Sequence, residues 1–180
     1  MGTFTFTETP LPGAYMIVTK AFGDTRGSFR MTYVKEDFAV CGIASEYVQT
    51  NISVSKPKHT IRGMHFQLGD AAQDKLVRCL VGSILDVIID IRPTSATYGR
   101  TFSVTLTDAN ETMLFVPKGF AHGFCTLVDD TQVMYQVSAA YTPSAEGGIR
   151  WDDAAFAINW PTKTPILSDK DAKYPDHKLR

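Results

Sequence analysis

The sequence predicts an all-β fold, a sandwich or barrel with a few short helices. Three observations lead to the sandwich or barrel. Apolar residues recur with period two over most of the chain, as they do when one face of a strand is buried. Short clusters of Gly, Pro, Asp and Asn separate these runs at spacings typical of connected strands. Helical periodicity is confined to two short stretches. With 180 residues and 44% hydrophobic content, the chain is long enough for a single domain, residues 1–180, with a sizeable core.

In chain order, the first expected strand is 14–20. A turn-rich connector follows, Phe22-Gly-Asp-Thr-Arg-Gly27. Helix is expected around residues 33–41. Further strands are expected over 47–54, 60–67 and 75–81. In 83–92, Leu85, Val87, Ile89 and Ile91 share one face, opposite Ile84, Asp86, Ile88, Asp90 and Arg92. That second face fits either the wall of a wet cavity or a solvent-facing side. In 101–107, Phe102, Val104 and Leu106 alternate with Thr101, Ser103, Thr105 and Thr107, so one face is buried and the other wet. Strands at 113–116, 123–128 and 132–138 complete the set. The charged stretch Leu167-Ser-Asp-Lys-Asp-Ala-Lys173 reads as a short capping helix or a surface segment.

Composition excludes several function classes. Eighteen basic residues against 19 acidic ones give a formal net charge of −1, without the basic excess of nucleic-acid or membrane-surface binders. No apolar run is long enough to span a bilayer, and the N-terminus lacks a secretory-signal pattern. Cys41, Cys79 and Cys125 form no CxxC pair, which fits a reducing, cytoplasmic setting better than a disulfide framework.

A jelly roll encloses a cavity between its sheets, so chemistry falls to the polar groups pointing inward. In Thr60-Ile-Arg-Gly-Met-His-Phe-Gln67, His65 faces away from Met64 and Phe66. Lys75 shares a face with Val77 and Cys79. An ammonium among apolar neighbours loses preference for the charged form unless an acid pairs with it, and Asp86 is the candidate acid. Tyr135 shares a face with Val133 and Val137; it reads as a core tyrosine or as a proton donor. His122 has the same two readings. A metal centre is not expected. The position where metal-binding jelly rolls carry a second histidine is Gln67, and His59 lies six residues before His65, about 20 Å along an extended strand. An imidazole base, a phenol and an ammonium together suit proton abstraction beside a carbonyl, where the enolate needs a held cation or hydrogen-bond donor.

The chain resembles the dTDP-4-dehydrorhamnose 3,5-epimerase family over nearly its whole length. The matching stretches include Phe22-Gly-Asp-Thr-Arg-Gly27, Val48-Gln-Thr-Asn51, Ile61-Arg-Gly-Met-His-Phe-Gln67, Lys75-Leu-Val-Arg78 and Asp86-Val-Ile-Ile-Asp-Ile-Arg92. They continue with Val116-Pro-Lys-Gly-Phe-Ala-His-Gly-Phe124, Tyr135, Tyr141 before Pro143, Glu146-Gly-Gly-Ile-Arg-Trp151, Asn159-Trp-Pro161 and Leu167-Ser-Asp-Lys-Asp171. The resemblance implies a homodimer of cupin jelly rolls, each site completed by the partner's N-terminal region, with no metal and no organic cofactor. It implies that His65 is the base, Tyr135 the acid, Lys75 the cation at the enolate oxygen, and Asp171 the acid that orients His65. It also implies that Arg26, Gln49, Asn51, Arg62, Asp86, His122, Tyr141, Glu146 and Lys170 belong to the site that holds a nucleotide-linked sugar, dTDP-linked in this family. Arg62 would fork onto the diphosphate.

Two departures bear on the substrate. Met31 stands where the family usually has a glutamate, and the segment from Asn51 to Arg62 is one residue longer than usual. The expected function is epimerisation at carbon 3, carbon 5 or both of a 4-keto-6-deoxyhexose. A one-centre epimerase, or one using a CDP- or GDP-linked sugar, is the alternative. Outside that class stand a non-catalytic sugar-binding jelly roll and a metal-dependent oxygenase.

Overall fold

The computed structural model describes residues 2–43 and 46–178. Two antiparallel sheets face each other. The first contains β1 (Phe4–Glu8), β2 (Tyr15–Thr19), β5 (Gln49–Ser55), β7 (Lys75–Val81), β10 (Thr112–Val116) and β12 (Thr131–Val137), in the order β1-β2-β10-β7-β12-β5. The second contains β6 (Ile61–Gln67), β8 (Ser83–Asp90), β9 (Thr101–Thr107), β11 (Phe120–Thr126) and β13 (Glu146–Gly148), in the order β13-β6-β11-β8-β9. A separate hairpin joins β3 (Phe22–Asp24) to β4 (Gly27–Phe29), and α1 (Lys35–Val40) precedes β5.

Three apolar layers hold this arrangement. Between the sheets, Val77, Cys79, Leu114, Val116 and Val133 meet Ile84, Ile88, Leu106, Phe120 and Phe124. On the outer face of the five-stranded sheet, Val87, Ile89, Ala121 and Cys125 lie under Ile149, Phe156 and Trp160 from the C-terminal third. On the outer face of the six-stranded sheet, Ile17, Leu76, Met113 and Phe115 lie under Phe38 of α1 and Ile43. Burial of each apolar side chain contributes on the order of 1.5–3 kcal/mol.

The face of β8 that carries Asp86 and Asp90 is fully buried rather than solvent-facing. Asp90 closes a knot. It accepts hydrogen bonds from the Arg92 guanidinium (2.7 and 2.9 Å) and from the hydroxyls of Ser95 and Thr97 (2.6 Å each). Burial works against that carboxylate, yet these bonds prevail and hold its pKa at about 2.

Strands β7 and β9 have the bounds expected from sequence, and β2, β5, β6, β8, β10 and β12 shift by a few residues at one or both ends. β11 begins at Phe120, three residues earlier than expected, because every residue of it is buried and it shows no alternation to read. The connector at 22–27 is the β3–β4 hairpin; each of its strands is three residues long and exposed throughout, too short for a pattern. β1 and β13 were also unexpected. The tail forms a short 3₁₀ turn over Asp171–Lys173.

Candidate active site

One end of the sandwich opens into a cleft of two adjoining lobes, about 460 and 400 Å³, which share His65, Lys75, Tyr135 and Lys170. The walls come from opposite sheets. β7 and β12 bring Lys75 and Tyr135 from the six-stranded sheet; β6 and β11 bring His65 and His122 from the five-stranded one. His65 and His122 are register partners on neighbouring strands, so their imidazoles enter the cleft from adjacent positions.

Each imidazole is backed by a carboxylate. The His65 Nε2 lies 2.6 Å from Asp171 Oδ1, and the His122 Nε2 lies 2.7 Å from Asp86 Oδ1. Asp171 arrives on the tail turn and is almost fully buried. Burial raises its pKa, but the hydrogen bond and charge of His65, with help from the Gly63 N–H and the Ser168 hydroxyl, hold it below the usual carboxylate range. A neutral imidazole that donates its Nε2–H to Asp171 leaves the Nδ1 lone pair to accept a proton.

Lys75 sits deep among protein atoms, although the cleft leaves part of its surface accessible. Desolvation lowers its pKa to about 8, against the opposing pull of Asp86 and Glu146. Tyr135 moves the other way: burial raises its phenol, with Arg62 pulling slightly against it. At neutral pH the cleft therefore offers a cationic amine and a protonated phenol.

The remaining predicted residues divide. Arg62, His122, Lys170 and Asp171 line the first lobe, and Gln49, Asn51, Tyr141, Glu146 and Lys170 line the second. Arg62 donates to Ser55 Oγ (3.1 Å) and to the Val54 carbonyl (3.0 Å). Gln49 donates to Asn51 Oδ1 (2.7 Å). Glu146 takes both the Lys170 ammonium and the Tyr141 hydroxyl, the latter at 2.9 Å. Two expectations change. Asp86 lies behind His122 rather than on the cleft wall, and its hydrogen bond goes to that imidazole, with Lys75 felt only as a nearby charge. Arg26 lies outside the cleft of its own chain, on the exposed hairpin, paired with Asp24 at 2.5 Å. Met31 is likewise not on the cleft wall; its carbonyl accepts from the Thr19 hydroxyl (2.6 Å).

Sequence reasoning passed over three contributors. Gln67 is a buried amide on the wall of the second lobe. It donates to the carbonyls of Ala71 (2.7 Å) and Ala140 (3.2 Å) and accepts from the Thr142 N–H (2.7 Å). Phe124 lines the first lobe beside Arg62. Tyr174 packs its ring edge-on against His65, with centroids 5.7 Å apart; a lone aromatic in a charged tail was the signal available. Among the described residues, no three His, Cys, Asp or Glu side chains are grouped to hold a metal ion, and no helix is long and apolar enough to cross a membrane.

Comparison with known proteins finds relatives over nearly the whole chain. The family model for dTDP-4-dehydrorhamnose 3,5-epimerase matches residues 8–178. The enzyme of that name from Salmonella typhimurium is 44% identical over 170 residues, covering 93% of this chain and 92% of its own. The crystal structure of the Bacillus anthracis enzyme with TDP and PPi bound superposes with a TM-score of 0.94 at 42% identity, covering 97% of this chain and 99% of that one. The Legionella pneumophila epimerase in complex with dTDP-4-keto-L-rhamnose gives a TM-score of 0.91 at 35% identity, covering 96% and 92%.

Proposed function

Because this chain belongs to the dTDP-4-dehydrorhamnose 3,5-epimerase family, we propose that its cleft inverts carbons 3 and 5 of a dTDP-linked 4-keto-6-deoxyhexose through successive enolates. The observation that supports the residue assignments is the origin of the proton carriers. His65 and Tyr135 enter one cavity from opposite sheets. A sugar ring between them meets a base on one face and an acid on the other, the geometry that inversion requires.

His65 takes the proton from the carbon beside the ketone, and the C–H electron pair moves into the new carbon–carbon double bond while the carbonyl oxygen becomes the enolate oxygen. Lys75 stabilises that oxygen as a cation already in place, so little reorganisation accompanies charge development. Tyr135, or a water in its place, gives a proton to the opposite face; His65 then passes its proton to solvent and the Tyr135 phenolate takes one up from solvent, which restores both groups. Asp171 keeps the imidazole oriented and stabilises the imidazolium that forms. Rotation of the sugar between the two rounds brings the second carbon to the same base. Arg62, Lys170 and His122 hold the diphosphate and sugar, and Gln49, Asn51, Tyr141 and Glu146 hold the remainder of the nucleotide sugar, with Asp86 orienting His122.

The working unit is a homodimer of one-domain chains in which the hairpin carrying Arg26 reaches the cleft of the other subunit. Three free cysteines, two of them buried, support a cytoplasmic location.

The test is hydrogen exchange. In heavy water with dTDP-4-keto-6-deoxyglucose, mass spectrometry should find deuterium at both carbons, and His65→Ala should reduce the rate by at least about a thousandfold. Exchange at one carbon would make this a one-centre epimerase. A preference for CDP- or GDP-linked sugars would reassign the nucleotide. If no 4-keto sugar nucleotide exchanges while binding persists, the cleft is a sugar-binding site and not a catalyst.

A further inference from the structure

The tail that delivers Asp171 is anchored on both sides by backbone hydrogen bonds. Upstream, Ile166 exchanges bonds with His59 and Ile61 (2.9 and 3.0 Å). Downstream, the Pro175 carbonyl accepts from the Arg150 N–H (3.0 Å). Between these anchors lies a single 3₁₀ turn, Asp171–Lys173, a weak element by itself. Tyr174 follows it directly. Its ring stands edge-on to the His65 imidazole at an interplanar angle of 66°. The ring rests on Gly148, the residue of β13 that pairs with His65 across β6. A Cβ on Gly148 would overlap three atoms of that ring. Absence of a side chain at Gly148 is therefore what lets the ring lie there. Among the described residues the buried Tyr174 hydroxyl has no partner at full hydrogen-bond geometry; the Lys170 ammonium acts on it through its charge and a weak hydrogen bond. What Tyr174 contributes at this spot is its ring.

We propose that Tyr174 is a positioning residue for proton transfer: its ring, seated on Gly148, fixes the His65 imidazole and the tail turn that carries Asp171 in a common geometry. The inference rests on the role given to His65 under the proposed function. Proton transfer is sensitive to displacements of about 1 Å, which can cost on the order of a hundredfold in rate. A base held by one hydrogen bond to a single-turn tail needs such a wall.

The substitutions Tyr174→Ala, Tyr174→Phe and Gly148→Ala test this, with deuterium incorporation from heavy water and steady-state kinetics as readouts. Tyr174→Ala should lower kcat about 10- to 100-fold while KM changes less than about threefold. Tyr174→Phe should stay within about threefold of the parent protein. Gly148→Ala should lower kcat like Tyr174→Ala because the new methyl displaces the ring. Added to Tyr174→Ala it should do no further harm, since the space is then vacant. In the ligand-free protein, the proton shared by His65 and Asp171 should give a downfield NMR resonance in the parent and in Tyr174→Phe, and lose it to solvent exchange in Tyr174→Ala. This last readout needs no turnover, and thermal melting identifies any variant that fails to fold; Gly148→Ala then carries the kinetic test alone. Full kcat in Tyr174→Ala, equal damage from Tyr174→Phe, or additive damage in the double variant would overturn the proposal. A parent protein silent on every 4-keto sugar nucleotide overturns the epimerase reading instead, while the NMR comparison still decides whether the ring holds the His65–Asp171 pair.

Discussion

At the scale of single residues, Lys75 makes the sharpest prediction. Its ammonium must be charged to stabilise an enolate, and desolvation has brought its pKa down to about 8. The sign follows directly: the amine is cationic below that pH and neutral above it, so kcat/KM should fall as pH rises through about 8. Tyr135 does not produce this limb, because burial moves its phenol upward and keeps it protonated there. In the substrate complex the negative diphosphate and the developing enolate favour the ammonium, so the limb in kcat should lie at higher pH. Lys75→Gln should lower kcat about a hundred- to a thousandfold and abolish the limb in both profiles. A limb near pH 8 that survives in Lys75→Gln would assign it to another group.

Strand alternation told which neighbours share a face with His65, Lys75 and Tyr135, but left open whether those faces line the cavity; the family resemblance supplied their roles. The Asp171 pairing was named only through family resemblance; no periodicity links a tail carboxylate to a histidine 106 positions earlier. Asp86 does act on Lys75 as a nearby charge, but its hydrogen bond to His122 was missed for a related reason. Alternation says which face a side chain takes, whereas choosing between Lys75 and His122 depends on strand neighbours, and β8 lies beside β11 in a different sheet from β7. Arg26 and Met31 do not reach the cleft of their own chain, and nothing in the sequence distinguishes action within a chain from action across an interface.

At the scale of elements, the site depends on how closely β6 approaches β11. Gly63 and Gly123 are the contact. A Cβ on Gly63 would lie 2.5 Å from the Gly123 Cα and 2.9 Å from the His122 carbonyl. Gly63 also has φ of +134°, a region closed to side-chain-bearing residues. Gly63→Ala therefore forces the strands apart where His65 and His122 face each other. The expected cost is about 3 kcal/mol or more in thermal or urea unfolding, together with loss of exchange activity in whatever fraction remains folded. A wild-type melting profile for Gly63→Ala would refute the close-approach argument. The same crowding explains why β11 was hard to delimit from sequence. A strand buried on both faces shows neither period two nor 3.6, whereas β9, with alternating exposure along most of its length, was read without error.

At the scale of the whole molecule, one edge of the six-stranded sheet ends beside the cleft. Among the described residues β5 pairs only with β12, and Ile52 and Val54 on it are mostly exposed while they line the first lobe. An unpaired apolar edge next to a binding site favours coverage by another chain. The β3–β4 hairpin offers Phe22 and Phe29, both exposed, together with Arg26, whose side chain is 88% exposed. These features lead to one expectation: sedimentation equilibrium gives a dimer, and Arg26 of each subunit serves the other subunit's cleft. Arg26→Ala should raise KM about tenfold or more and leave the melting temperature unchanged, since its ion pair is with an exposed aspartate and contributes little. Mixing Arg26→Ala with His65→Ala subunits decides the geometry at substrate concentrations below KM. If Arg26 acts across the interface, the hybrid dimer holds one cleft with both defects and one with neither, and activity returns on subunit exchange. If Arg26 acts within its own chain, or not at all, every cleft in the hybrid keeps the behaviour of its parent variant and mixing restores nothing.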